Sequence, residues 1–352
     1  MNLAVIIDSA PSPYSGVFKA AINWTRALNA DFIMLNDANV SEYLKKEGII
    51  YHLVNDINQI PSILQKYEFV FYDDRSERLL RILSTVPVTK LLYAYPVRGL
   101  RPMGGLSIRN YQSTYTKTIV RMSRLIPYRL ILRDYIKYLK KADIIITQSF
   151  TSSGLMRYYL GVVPDAVLFN PVDRVLFRSV PYVKKVYNKV LLFLGNSVGD
   201  ADIGLLIRLD DFFSSGDYDL YVFGYKGALK YMKKTNCKVL DNIPDKDLAY
   251  HMATSAYTLI IQEDEPLSYV SMESICSGTP VLACYPEESI KFGVTGYYSS
   301  KMNYIKMLKF ALNNRINSDS NLFTEAALEF DMNTVADKLQ AILNKILDRR
   351  FP

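Results

Sequence analysis

The feature that most restricts this chain is the alternation of short apolar runs with stretches of helical periodicity. Runs at 2–7, 49–53, 69–72, 88–94, 144–147 and 166–169 make a first series, and runs at 190–195, 220–224, 238–240, 257–261 and 281–284 make a second. Helical patterns such as Val17–Leu28 and Lys246–Ala253 lie between them. Strands that are apolar throughout and separated by helices predict parallel sheets covered on both faces, an α/β architecture. Pro and charged residues between Pro171 and Tyr187 interrupt the pattern, so two doubly wound, Rossmann-like units are expected, at 1–170 and 171–332. A chain of 352 residues can supply each with its own core. Val335, Leu339, Leu343 and Leu347 recur every fourth residue and predict a final amphipathic helix, 333–352, packing back across the domains.

Three cysteines, Cys237, Cys276 and Cys284, are too few for a disulfide framework and point to a reducing cytoplasm. The start, Met-Asn-Leu-Ala-Val-Ile-Ile-Asp, has no basic leader and reads as a first strand rather than a signal peptide. No apolar run approaches the roughly 18 residues of a membrane span. No His/Cys cluster has metal-ligand spacing.

Ligands of doubly wound sheets bind beyond the carboxyl ends of the strands. The crossover loop that stands out is in the stretch from Gln262 to Cys284. The apolar strand ending at Ile261 runs into Glu263-Asp264-Glu265, and a helix begins near Pro266 to Ser268. The helix stops at Gly278, and a second apolar strand follows. Glu265 and Glu273 are eight residues apart, about 12 Å along a helix axis, the scale of a nucleotide sugar from hexose to ribose. Between them lies a helix start, whose N–H groups and positive dipole end suit a phosphate. The plainer reading makes Glu265 a helix cap and Glu273 a solvated helix position.

From Lys141 onward the chain resembles the retaining glycosyltransferases of family 4. Ala142-Asp143-Ile144-Ile145-Ile146-Thr147-Gln148-Ser149 is similar to their strand closing the first domain. Asn170-Pro171-Val172-Asp173, followed by Phe177, is similar to their crossover, and Ile243-Pro244-Asp245 to the segment before the donor site. Glu265, Glu273 and Cys276-Ser277-Gly278-Thr279-Pro280-Val281 match the two-glutamate motif and its exit, and Gly293-Val294-Thr295-Gly296 the next loop. Over the first 140 or so residues only the first strand and the Ser15-Gly16 turn fit. The resemblance implies the GT-B fold, two Rossmann-like domains facing a cleft, and transfer of a sugar from a nucleotide-diphosphate sugar to an acceptor hydroxyl with retention. It further implies that Glu265 holds the donor-sugar hydroxyls and Glu273 the ribose, with the backbone of Leu267, Ser268 and Tyr269 at the diphosphate. Asn196, Lys226, Ile243 and Gly16 complete the implied donor-binding set. The nucleotide sugar is then a co-substrate, and no cofactor or divalent metal is required.

The chain departs from this pattern where the family carries Arg and Lys after the first strand of its second domain. Here the loop reads Gly195-Asn196-Ser197-Val198-Gly199-Asp200-Ala201-Asp202, with no cation. Lys226, on the next crossover loop, is the candidate substitute, and Asp200 and Asp202 read as a metal-binding pair or, more simply, a helix N-cap. Where the family has a His in its first domain, this chain has Tyr95-Pro96-Val97-Arg98; its two His, His52 and His251, lie elsewhere. These departures keep two further readings open, a sugar-nucleotide epimerase of the same fold and a binding module without turnover.

From Arg98 to Lys141 the chain carries eleven Lys and Arg with Asp134 as the only acid, interleaved with Tyr, Leu and Ile. Such a segment suits an anionic membrane surface or a lipid-linked acceptor, and equally a soluble helix with its cations in water. No nucleic-acid motif accompanies the charge. The expected partners are a nucleotide sugar and a sugar, glycan or lipid-linked acceptor. The expected location is cytoplasmic, with peripheral attachment to the inner membrane surface as one option.

Overall fold

The structure is a computed structural model. It describes residues 2–8, 16–35, 38–73, 76–94, 133–178, 184–195, 203–241, 243–261, 267–283, 297–298, 303–314 and 320–350. The chain divides into two compact units, Met1–Pro171 with Met332–Pro352, and Val172–Asp331.

The first unit is built on a seven-stranded parallel sheet of order β3-β2-β1-β4-β5-β6-β7. The strands are β1 (Leu3–Ile7), β2 (Asp31–Leu35), β3 (Tyr51–Val54), β4 (Phe69–Asp73), β5 (Thr89–Ala94), β6 (Ile144–Thr147) and β7 (Ala166–Val167). Alternation within β1 shows how both faces are used. Ala4 and Ile6 join one buried cluster, and Leu3, Val5 and Ile7 the other. The first cluster is covered by α3 (Ile60–Leu64), α4 (Glu77–Leu83), α5 (Arg133–Leu139) and α6 (Phe150–Leu155) with its π-helical extension Met156–Leu160. The second lies under α1 (Gly16–Leu28), α2 (Ala38–Lys46) and the final helix.

The run Asp31–Leu35 is absent from the strand-like runs read in the sequence, yet β2 is an interior strand between β1 and β3. Five residues following a helix after two intervening positions are too few for periodicity to separate strand from helix continuation. The crossover Asn170-Pro171-Val172-Asp173 has a local physical role. Buried Asn170 accepts from Trp24 Nε1 (3.4 Å) and donates to Gln148 Oε1 (3.4 Å), and Asn23 donates to the Pro171 carbonyl (3.1 Å). Asp173 caps α7 (Arg174–Arg178) by accepting from the Leu176 amide (2.9 Å).

The second unit has a six-stranded parallel sheet of order β10-β9-β8-β11-β12-β13. Its strands are β8 (Val186–Phe193), β9 (Asp219–Phe223), β10 (Lys238–Val239), β11 (Ser255–Ile260), β12 (Val281–Ala283) and β13 (Tyr297–Tyr298). Val190, Leu192, Val222 and Leu259 pack under α8 (Ile203–Phe213) and α11 (Tyr304–Asn314). The opposite face is covered by α9 (Asp245–Thr254) and α10 (Tyr269–Cys276). Helix α12 (Ser320–Leu328) packs against α10.

The last helix, α13 (Met332–Arg350), begins at the unit boundary and packs on α1, with Val335, Leu339 and Leu343 in the first unit's core. Among the described residues no helix is long and apolar enough to cross a membrane.

Candidate functional site

In each sheet the strand order reverses once, between β1 and β4 in the first unit and between β8 and β11 in the second. The loops leaving these strands diverge to opposite faces and open a crevice at the carboxyl edge. In the first unit, Asp8 follows β1, Ser76 follows β4, and the Ser76 hydroxyl donates to the Asp8 carboxylate. Gly16 is the first residue of α1, and the loop before it lies outside the described residues.

In the second unit the reversal is where α10 starts. Its local sequence explains why a helix of eight residues is stable here. Ser268 has extended backbone (φ −75°, ψ 148°), and its hydroxyl accepts from the Ser271 amide (2.9 Å) and pairs with the Ser271 hydroxyl (2.7 Å). All eight helix residues are buried, as are Leu267 and Ser268 before them. Ser274 donates from inside the helix to Thr258 Oγ1 of β11 (2.8 Å) and, at 3.0 Å, lies within bonding reach of the Thr279 carbonyl. At the other end Gly278, at φ +70°, takes the left-handed conformation that stops the helix. The Ser268 cap takes up the Ser271 amide, one of the first-turn amides that lack intrahelical acceptors. The positive end of the helix dipole at this edge suits an anion.

Glu273 sits in the fifth position of α10 and is 1% exposed. The plainer reading of a solvated helix position does not hold for this residue, because α10 is enclosed by sheet and neighbouring helices. One turn later the Cys276 thiol is pushed up by burial first and by the Glu273 charge second, with Arg174 acting the other way. Arg174 itself bonds through Nε to Asp331 (3.1 Å). A small cluster of charges thus gathers at the far half of the helix.

The loop after β8 is held against the loop after β9. Leu194 donates to the Phe223 carbonyl and Tyr225 to the Gly195 carbonyl, both at 2.9 Å. Gly195 and Gly224 have φ of +81° and +97°, and a Cβ on Gly224 would lie 2.6 Å from the Gly195 carbonyl oxygen. Only glycine permits that approach. The sequence nominated neither this clamp nor the Asp8–Ser76 pair; a glycine ending each of two apolar runs was its only trace.

Lys226 opens a short 3-10 turn after β9 and is paired with Asp241, both side chains about half exposed. Ile243 is partly buried in the segment leading into α9. Glu265, Asn196, the Asp200/Asp202 pair, Tyr95 and Arg98 lie outside the described residues. His251, on α9, has its ring against Tyr221 and Tyr250, with a buried Nδ1 that has no hydrogen-bond partner among the described residues. His52 is partly buried near Lys66 and Asp31. Among the described residues no group of three or more His, Cys, Asp and Glu could hold a metal ion.

No protein-family model matches the sequence, and no curated protein sequence matches it. Solved structures do. The complex of HepE from Anabaena with UDP and glucose superposes with a TM-score of 0.69 at 13% identity, covering 98% of this chain and 99% of that one. Sucrose-phosphate synthase from Thermosynechococcus elongatus gives 0.68 at 12% identity, covering 99% and 100%. A putative UDP-N-acetylglucosamine 2-epimerase from Listeria monocytogenes gives 0.59 at 14% identity, covering 99% and 97%. With two parallel Rossmann-like sheets and these neighbours, the fold is GT-B.

Proposed function

We propose that this protein is a retaining glycosyltransferase that moves a sugar from a nucleotide-diphosphate sugar to an acceptor hydroxyl. The observation that carries the reading is the capped, fully buried helix α10, which starts where the second sheet reverses its order, after the loop that contains Glu265. The complexes of HepE with UDP, with UDP and glucose, and with UDP-glucose support a donor of this class on this fold.

In this reading the backbone of Leu267, Ser268 and Tyr269 meets the diphosphate, and the helix start stabilises the charge that develops on it as the glycosidic bond breaks. Glu265 positions the donor-sugar hydroxyls. Glu273 accepts from the ribose hydroxyls, which requires binding to uncover a carboxylate that is buried in the free protein. Ile243 and Asn196 contribute contacts from the neighbouring loops. Lys226 joins the diphosphate by exchanging its exposed partner Asp241, a swap that costs little because exposed ion pairs are weak. No cofactor enters; the helix dipole and Lys226 carry the electrostatics.

Incubation with a panel of nucleotide sugars and simple acceptors tests this reading. Release of nucleoside diphosphate, with a glycoside whose anomeric configuration by NMR equals that of the donor, is the expected result. Donor binding without release refutes it. A second reading, epimerisation of the sugar nucleotide, is favoured by the epimerase among the structural neighbours; conversion of the donor into an isomeric sugar would establish it.

A further inference from the structure

The net charge of +7 is not spread over the chain. Residues 77–165 hold fifteen Lys and Arg against four Asp and Glu, a net of +11, so the remaining residues are net −4. The described helices of that stretch, α4, α5 and α6 with its π-helical extension, all cover the same face of the first sheet. Leu79, Leu80, Leu139, Met156 and Leu160 belong to one buried cluster. Arg78, Arg81, Lys137 and Arg157 of these helices are exposed.

Lys137, Lys140, Lys141 and Arg157 are exposed. No ion pair engages any of the four among the described residues, and Lys141 makes a single long bond to Ser84 Oγ (3.4 Å). Two of the four acids of the same stretch, Asp143 and Asp165, are engaged with the sheet. Asp143 bonds the Lys90 amide (2.9 Å) and pairs with the Lys90 ammonium (3.6 Å), and Asp165 accepts from the Ile145 amide (2.8 Å). Among these cations stand apolar groups that the fold leaves in water. Tyr158 is 76% exposed on the π-helical extension, and Val163 59% exposed on the loop after it. A π-helical turn shifts the side chains that follow it around the axis relative to a regular helix.

We infer that this face of the first unit docks on an anionic lipid surface. Charge complementarity selects a polyanionic plane, since a stretch of net +11 whose exposed lysines make no described ion pair gains most from phosphates presented in two dimensions. The exposed ring and the valine select lipid over nucleic acid, because an amphipathic ring and a short aliphatic group settle at a headgroup boundary, where they leave water. The inference is independent of the donor site and survives or fails without it.

The test is co-sedimentation of the full chain with phosphatidylcholine vesicles and with vesicles in which about a third of the lipid is phosphatidylglycerol. Binding to the anionic vesicles alone, weakened by salt, is expected. At about fivefold per charge, Lys137→Gln, Lys140→Gln and Lys141→Gln together should lower it by about 100-fold. Tyr158→Ser with Val163→Ser should lower it by about tenfold while leaving the salt dependence in place. All five positions are exposed, so urea unfolding midpoints should match the parent protein's. Equal binding to neutral vesicles, no binding to either, an unaltered affinity of the lysine variant, or displacement of the vesicles by a duplex oligonucleotide would each overturn the inference.

Discussion

Replacement of Glu273 by Gln separates the functional account of α10 from a structural one. The side chain is 1% exposed, and Gln matches its shape, so the substitution opens no cavity and changes only the charge and half of the acceptor capacity. A hydrogen bond to an ionised group is stronger than a neutral one by about 1–1.5 kcal/mol. Two ribose hydroxyls donating to the carboxylate would therefore lose about 2–3 kcal/mol on amidation, or roughly 30–150-fold in Kd for the nucleotide. Folding stability should change by no more than about 1 kcal/mol, because the same amidation removes a charge from a buried setting. Isothermal titration with the nucleoside diphosphate and urea unfolding read the two quantities separately. An affinity altered by less than about threefold, with a stability loss above about 3 kcal/mol, would make Glu273 an internal structural charge and remove it from the donor site.

Three further outcomes follow from the same geometry. Ser268→Ala removes the cap and strands the buried Ser271 hydroxyl, so unfolding free energy should fall by about 1–3 kcal/mol, measurable by urea titration. Gly224→Ala places a Cβ against the Gly195 carbonyl at a left-handed φ and should cost about 2–4 kcal/mol, with a shift of the loop amides visible by NMR. Burial first and then Lys189 hold the His251 imidazole down to about 4, against the opposing pull of Asp247. Since the folded value lies below the unfolded one of about 6.5, this contribution is complete above 6.5 and is lost as pH falls toward 4. The stability difference between about pH 7 and about pH 5 should shrink by about 1–2 kcal/mol in His251→Phe. An unchanged difference would mean that the imidazole titrates normally in the fold.

Part of the candidate site could be read without coordinates because its signals are local. Ser268 before an apolar stretch, Gly278 and Pro280 after it, and glutamates at fixed spacing bracket a helix between two buried strands, and α10 lies within those brackets. The burial of Glu273 could not be read, since a polar residue in a short helix carries no mark of what encloses it. Lys226 likewise reads as an available cation, while in the fold it pairs with Asp241, fifteen residues away on another loop.

The sequence by itself determined the fold class and most of the strands. Apolar runs, turn residues and helical periods act over a few neighbouring positions and survive in one dimension. Only the tertiary structure decided the strand orders and their reversals, and with them the placement of α10 at the crevice edge. Strand order comes from long-range packing that nearby residues do not encode. The same holds for β2, recognisable as a strand through its partners on both sides, and for the basic outer face of the first unit. That face exists because three helices separated in sequence share one buried cluster.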